Sequence, residues 1–149
     1  MGAYFGFGQD TNTASTTVVQ VRQPATALKR LKVNVVLVGS DASADNAYEA
    51  SLKRTTANGT DGSTFTPVPR DPADGAASAT FGVAHSAEPT YTAGSDCLVV
   101  FGHQRSTFQW YAAPGHDIVI PVTNAAGLGY LVNTAAVAFN QGVTLEWEE

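Results

Sequence analysis

Residues 31–38 carry the strongest folding signal in this sequence, because apolar residues recur there at every second position. The odd-numbered positions of this segment are all apolar: Leu31, Val33, Val35 and Leu37. A period of two is that of a β-strand, whose successive side chains point to opposite faces. We therefore expect a strand over 31–38 and expect this set of four to face the core.

Shorter segments elsewhere in the chain have a similar strand-like composition. Residues 45–55 also fit a helix, with Tyr48 and Leu52 four positions apart, but a strand after the turn at 39–45 suits them better. A loop is expected over 56–77, with at most a short extended piece at 63–68. Further strands are expected within 16–22, 79–85, 97–103, 107–111, 117–122, 130–132 and 143–147. With eight or nine short strands and no confident helix, the sequence predicts an all-β sandwich or barrel.

The first fifteen residues look different from the rest. Tyr4, Phe5 and Phe7 lie among glycines, and a polar run from Gln9 follows, so no period is visible. We expect 1–15 to form an N-terminal arm, with 2–15 mobile in the free protein and ordered on a partner or on a neighbouring copy. The short motifs Gly6-Phe7-Gly8, Gly94-Ser95 and Gly127-Leu128-Gly129 are expected to be turns. The whole chain has 149 residues, and the remainder, 16–149, is the size of one domain.

The charge distribution limits the classes of partner. The net charge of −5 argues against a nucleic-acid or anionic-membrane binder, and no apolar run approaches the roughly 20 residues of a membrane helix. Residues 22–54 nevertheless hold six of the eight basic groups. Lys29, Arg30 and Lys32 within them either contact a partner or protect an exposed strand edge.

No pattern in the chain indicates a catalytic or metal centre. His85, His103 and His116 lie far apart, without the spacing of zinc ligands, and are expected on the surface or in turns. No Gly-x-Ser-x-Gly motif is present. Cys97, the single cysteine, is six residues from His103, which is too far along a strand for the pair to share a proton. We therefore expect no metal, no cofactor and no enzymatic activity.

Four segments, taken in order, carry a resemblance to a known family. They are Pro67-Val68-Pro69-Arg70-Asp71-Pro72, Ser86-Ala87-Glu88-Pro89, Pro114-Gly115-His116-Asp117-Ile118-Val119-Ile120-Pro121 and Thr144-Leu145-Glu146-Trp147-Glu148-Glu149. With these segments the chain resembles the head decoration, or cement, proteins of tailed bacteriophages. That family has a jelly-roll-like antiparallel β-sandwich and lies on the outside of the capsid, commonly as trimers.

The resemblance implies a structural role. The protein would be made in the host cytoplasm, bind the major capsid protein on the outer surface of the virion, and stabilise the icosahedral head as a homotrimer. The candidate partner-binding residues are Tyr4, Phe5, Phe7, Lys29, Arg30 and Lys32. The alternative is a carbohydrate- or receptor-binding β module of a phage particle. Its contact surface would be the 56–77 loop and an aromatic platform of Phe108, Trp110 and Tyr111.

Overall fold

The computed structural model describes residues 1–26 and 29–149, which form twelve β-strands and, within these ranges, no helix. The all-β prediction is confirmed, although the strand count exceeds the eight or nine expected. The strands are β1 (Ala3–Asn12), β2 (Thr16–Arg22), β3 (Leu31–Ser40), β4 (Ala47–Ala57), β5 (Ser63–Phe65), β6 (Val68–Pro69), β7 (Thr80–Val83), β8 (Thr90–His103), β9 (Phe108–Tyr111), β10 (Ile118–Ile120), β11 (Gly127–Ala135) and β12 (Phe139–Glu148).

The strands form two antiparallel sheets that pack against each other as a sandwich. The first sheet has the order β10-β3-β12-β1-β6, with β9 also paired to β3. The second sheet has the order β5-β7-β2-β11-β4-β8. The antiparallel β-sandwich expected from the strand pattern is therefore confirmed.

The connectivity is that of a long hairpin rolled into two layers. Going inwards from the termini, β1 pairs with β12, β2 with β11, β3 with β9 and β10, and β4 with β8, and these pairs alternate between the two sheets. This nesting is the jelly-roll arrangement. The strands β5, β6 and β7 are an insertion between β4 and β8. They widen the second sheet beside β2 and the first sheet beside β1.

Three stacked aromatic rings lie at the centre of the core. The ring of Trp147 is parallel to that of Phe81, with centroids 5.9 Å apart, and Tyr4 stacks at 6.3 Å from Trp147. Phe81 belongs to the second sheet and the other two to the first, so this stack bridges both layers. Aromatic side chains contribute more buried area than most residues, which makes the stack a principal element of the core.

The predicted arm over 1–15 is wrong for residues 3–12, which are strand β1. This strand pairs with β12 along its whole length and with β6 at its start. Tyr4 is only 4% exposed. Gly6 and Gly8 are strand residues that face the opposite sheet, and a Cβ at Gly6 would lie 2.5 Å from the ring of Phe81. Glycine is needed there to let the second sheet approach, although it weakens the local strand signal.

Strand β3 contains an irregularity that reverses its buried face. Its register with β12 shifts between the pairs Val33–Trp147 and Val35–Glu146. Before the shift Leu31 and Val33 face the core, but after it Val36 and Val38 do. The expectation that Leu31, Val33, Val35 and Leu37 share the core face is correct for the first two. Val35 is buried as predicted, at 8% exposed, but it lies opposite Glu146 on the same face as Leu37 and outside the core cluster. A β-bulge of this kind adds one residue to one strand and so exchanges the faces beyond it.

Two further segments expected to be turns lie in strands. Strand β8 begins at Thr90 and runs through Gly94, whose φ of +65° accompanies register shifts in its pairing with β4. Gly127 and Gly129 belong to β11. The 56–77 loop is interrupted by the short strands β5 and β6. In each case pairing with distant strands overrides a local turn composition.

Candidate functional site

Three of the six predicted partner-binding residues share one surface, the outer face of the first sheet. Phe5 lies opposite Glu146 on β12, and Lys32 lies opposite Glu148, so all of them point away from the buried Trp147. Phe7 follows Phe5 on the same face of β1 and is 42% exposed. Strand alternation together with the antiparallel register therefore brings Phe5, Phe7 and Lys32 together.

The other three predicted residues lie elsewhere. Tyr4 faces the core, where its hydroxyl donates a hydrogen bond to the carbonyl oxygen of Gly75 at 3.1 Å, and burial raises its pKa. Lys29 lies 3.5 Å from the carboxylate of Glu149. Arg30 is exposed just before β3. Tyr4 is thus a core residue, and its assignment to a partner surface is wrong.

The carboxylate of Glu149 has a structural role at the end of β12. Its side chain is fully buried and accepts hydrogen bonds from the backbone N–H groups of Ser78 (2.6 Å) and Ala79 (3.1 Å). This carboxylate joins the inserted segment to the first sheet, and Lys29 is drawn to it. The side chain of Lys29 is 49% exposed, so its ion pair with Glu149 lies at the surface of this corner and contributes little to stability.

The outer face of the first sheet, called here the front face, combines apolar and charged residues. Its apolar residues are Phe5, Phe7, Leu37, Val68 and Tyr111. Its polar residues are Lys32, Thr144, Glu146 and Glu148. Tyr111, at the edge strand β9, is 62% exposed. Sequence reasoning placed Leu37 in the core and considered Tyr111 and the 56–77 loop, which contains Val68, only for the carbohydrate-binding alternative. The bulge in β3 and the pairing of β6 and β9 bring these residues to this face.

The three aromatic residues of β9 do not form a stacking platform. Phe108 and Trp110 pair with Val38 and Val36 and pack against the core, whereas Tyr111 points to the front face. Alternation along β9 separates the rings onto opposite sides of the sheet. A sugar would therefore meet Tyr111 alone, and the three-ring surface considered for a carbohydrate-binding module is absent from β9.

A partly buried polar cluster, called here the anchor cluster, joins the insertion to the outer side of the second sheet. The two terminal guanidinium nitrogens of Arg22 each donate a hydrogen bond to one carboxylate oxygen of Asp61, at 2.7 and 2.5 Å. The Glu88 carboxylate accepts a hydrogen bond from the backbone N–H of Thr17 at 3.0 Å and another from its hydroxyl. Asp61 and Glu88 lie in the loops that precede β5 and β8, respectively. Their partners Arg22 and Thr17 lie on β2. They hold the insertion against the sheet.

His85 also belongs to the anchor cluster, contrary to the expectation of a surface histidine. Its side chain is fully buried, with Nε2 3.2 Å from Oδ1 of Asp61. Within the described residues neither ring nitrogen has an aligned hydrogen-bond partner. Desolvation lowers the pKa of His85. The negative charges of Asp61 and Glu88 oppose this effect, and the positive charge of Arg22 reinforces it. The ring is consequently neutral at pH 7.

We expect the free energy of unfolding to decrease as the pH falls below about 6.5, the ordinary pKa of histidine. The lowered pKa means that the unfolded chain takes up a proton on His85 before the folded chain does. One such proton gives a slope of at most about 1.4 kcal/mol per pH unit. Urea unfolding between pH 7.5 and 5.5 should show this slope in the wild type, and His85→Gln should reduce it. The exposed His116, changed to Gln, is the control, and an unchanged slope in His85→Gln would contradict the assignment.

The other candidate features carry little chemistry. A cleft of about 250 Å³ is lined by nine residues, of which four are threonines and one, Arg54, is charged. Arg54 at this cleft donates a hydrogen bond to the carbonyl oxygen of Val119 at 2.5 Å. Cys97 is half-buried beside the core, and burial raises the pKa of its thiol. No group of three or more potential metal ligands occurs in residues 1–26 and 29–149.

The described part of the chain also contains no helix long and apolar enough to span a membrane. In comparisons with known proteins, no family model, no curated protein and no solved structure matches this chain.

Proposed function

We propose that this protein is a structural virion protein that binds the outer surface of a phage capsid and stabilises the icosahedral head. The observation that carries the proposal is the front face, on which Phe7, Tyr111 and Val68 expose apolar area beside charged residues. Exposed apolar area grouped in this way is typical of a protein contact surface. The kind of partner, the major capsid protein, comes from the sequence resemblance.

The composition of the front face suits attachment to a protein lattice. Aromatic residues are enriched in protein interfaces, and the apolar centre of an interface is normally surrounded by polar groups. On this face Glu146 forms an ion pair with Arg70 at 3.3 Å, and Lys32 lies opposite Glu148. Apolar and charged groups are thus interspersed, so that one broad surface offers both packing area and oriented polar contacts.

A non-enzymatic role is part of the proposal. The titratable groups that most resemble a catalytic centre are Arg22, Asp61 and His85, of which His85 is fully buried and the other two are 13% exposed. The Arg22 guanidinium and the Asp61 carboxylate satisfy each other. Groups arranged in this way stabilise the fold, and none of them lines the cleft beside Arg54 and Pro121.

Phe7→Asp is the decisive variant for capsid attachment. The substitution places a carboxylate in the middle of the front face, and we expect it to weaken binding at least about tenfold, as the loss of an interface hot spot does. The measurement is co-sedimentation of purified protein with shells of the phage concerned that lack this protein. Fold retention is checked by circular dichroism and thermal unfolding.

Val122→Asp is the matched control, because Val122 is 52% exposed and lies outside both sheets. This variant should bind shells like the wild type. If Phe7→Asp is folded and co-sediments as well as the wild type, the front face is not the attachment surface. If the wild type fails to bind shells at all and instead binds glycans on an array, the carbohydrate-binding alternative replaces the proposal.

A further inference from the structure

Strand β8 ends the second sheet with an edge that has no strand partner among residues 1–26 and 29–149. Its inner edge pairs with β4, regularly from Leu98–Leu52 to His103–Ala47. The other edge therefore presents backbone N–H and C=O groups of residues 98–102 to solvent, whereas those of His103 form hydrogen bonds with Ser106. An exposed edge is a template for pairing with a further strand.

The features that normally prevent edge pairing are missing from this segment. Residues 98–103 contain no proline and no lysine. Val99 and Phe101 are side by side on the outer surface and are 44% and 76% exposed. Natural proteins usually place a charge, a proline or a bulge within such an edge. Here the bulge at Cys97 comes only at the beginning of the regular segment.

We propose that a second copy of this chain pairs with β8, antiparallel and about a two-fold axis at Val100. In this register Val99 of each copy lies opposite Phe101 of the other, and Leu98 lies opposite Gly102. Val99 and Phe101 of each copy are then covered by Phe101 and Val99 of the other copy, respectively. An aromatic residue opposite a β-branched one is a favourable cross-strand pair, and a two-fold interface requires such self-complementarity.

The charges near the edge also favour the antiparallel arrangement. Asp96 precedes the regular segment and forms an ion pair with Lys53 at 3.5 Å that leaves its side chain 32% exposed, and the exposed Arg105 follows the segment. Antiparallel pairing brings the acidic end of one edge to the basic end of the other. Parallel pairing would instead place like charges together, which is destabilising. The front face belongs to the other sheet and stays free, so the dimer is independent of capsid attachment.

Sedimentation velocity between 5 and 500 µM tests the dimer. A contact of two short strands is smaller than a standard stable interface, so we expect a dimer with a dissociation constant in the micromolar range. Phe101→Lys should abolish it, and its exposed position should preserve the fold. Val122→Lys, at an exposed site outside the regular edge segment 98–103, should dimerise like the wild type. A wild-type monomer or trimer at all concentrations, or a dimeric Phe101→Lys, would overturn the proposal.

Disulfide trapping tests the register. In a Cys97→Ser background, Val99→Cys and Phe101→Cys are prepared as separate proteins and oxidised alone or mixed. Directly opposed residues are close enough for a disulfide, whereas equivalent residues across this axis are about 7–8 Å apart. The cross-linked dimer should form only in the mixture. Cross-linking of either variant alone, or none in the mixture, would exclude this register.

Discussion

Deletion of residues 2–12 is expected to abolish cooperative folding. The deletion removes β1 from between β12 and β6, together with the buried ring of Tyr4. Losing one buried aromatic side chain costs about 3–5 kcal/mol. The deletion also exposes Trp147 and the backbone edge of β12, so the total exceeds what most domains, stable by about 5–15 kcal/mol, can lose. Thermal unfolding followed by circular dichroism, and the dispersion of the amide spectrum, measure the outcome.

Tyr4→Ala provides an intermediate comparison. It should leave a folded protein with a melting temperature lower by many degrees, because one ring of the stack with Trp147 and Phe81 is lost. Truncation of Met1 alone, which is exposed, should have no effect. If the chain lacking 2–12 melted cooperatively at the wild-type temperature, β1 would be the dispensable arm that the local sequence suggests.

Val36→Asp and Leu37→Asp, one position apart, should have opposite outcomes. Val36 is completely buried between Leu145 and Trp110 in the sheet, so an aspartate there buries a charge without a partner. We expect this variant to be unfolded or destabilised by several kcal/mol. Leu37 points to the front face opposite Thr144, and its replacement by aspartate should cost about 1 kcal/mol.

Equilibrium urea unfolding of both variants decides between the two faces of β3. The parity of the sequence places Leu37 with Leu31 and Val33 in the core and leaves Val36 outside it. The bulge between the pairs of Val33 and Val35 with β12 reverses this order. A destabilisation larger for Leu37→Asp than for Val36→Asp would mean that the bulge is absent in solution.

The fold class could be predicted from the sequence because it follows from local periodicity. Residues 16–22 and 31–38 alternate with period two, and β2 and β3 lie there. Glu146 and Glu148 alternate with the buried Leu145 and Trp147 at the end of the chain, as β12 requires. Alternation between neighbouring residues is a property of the chain itself, and every regular strand has to satisfy it. The sequence analysis also predicted that Phe5 and Phe7 belong to a contact surface.

The tertiary structure decided which glycine-rich segments became strands and which polar residues became buried. Gly6 lies in β1 because Phe81, 75 positions later, occupies the space that a side chain would need. His85 is buried because Asp61 and β2 enclose it, and Tyr111 joins the front face because β9 pairs with β3. These positions depend on contacts between residues far apart in the chain. Local composition does not encode such contacts, whereas close packing of two sheets imposes them.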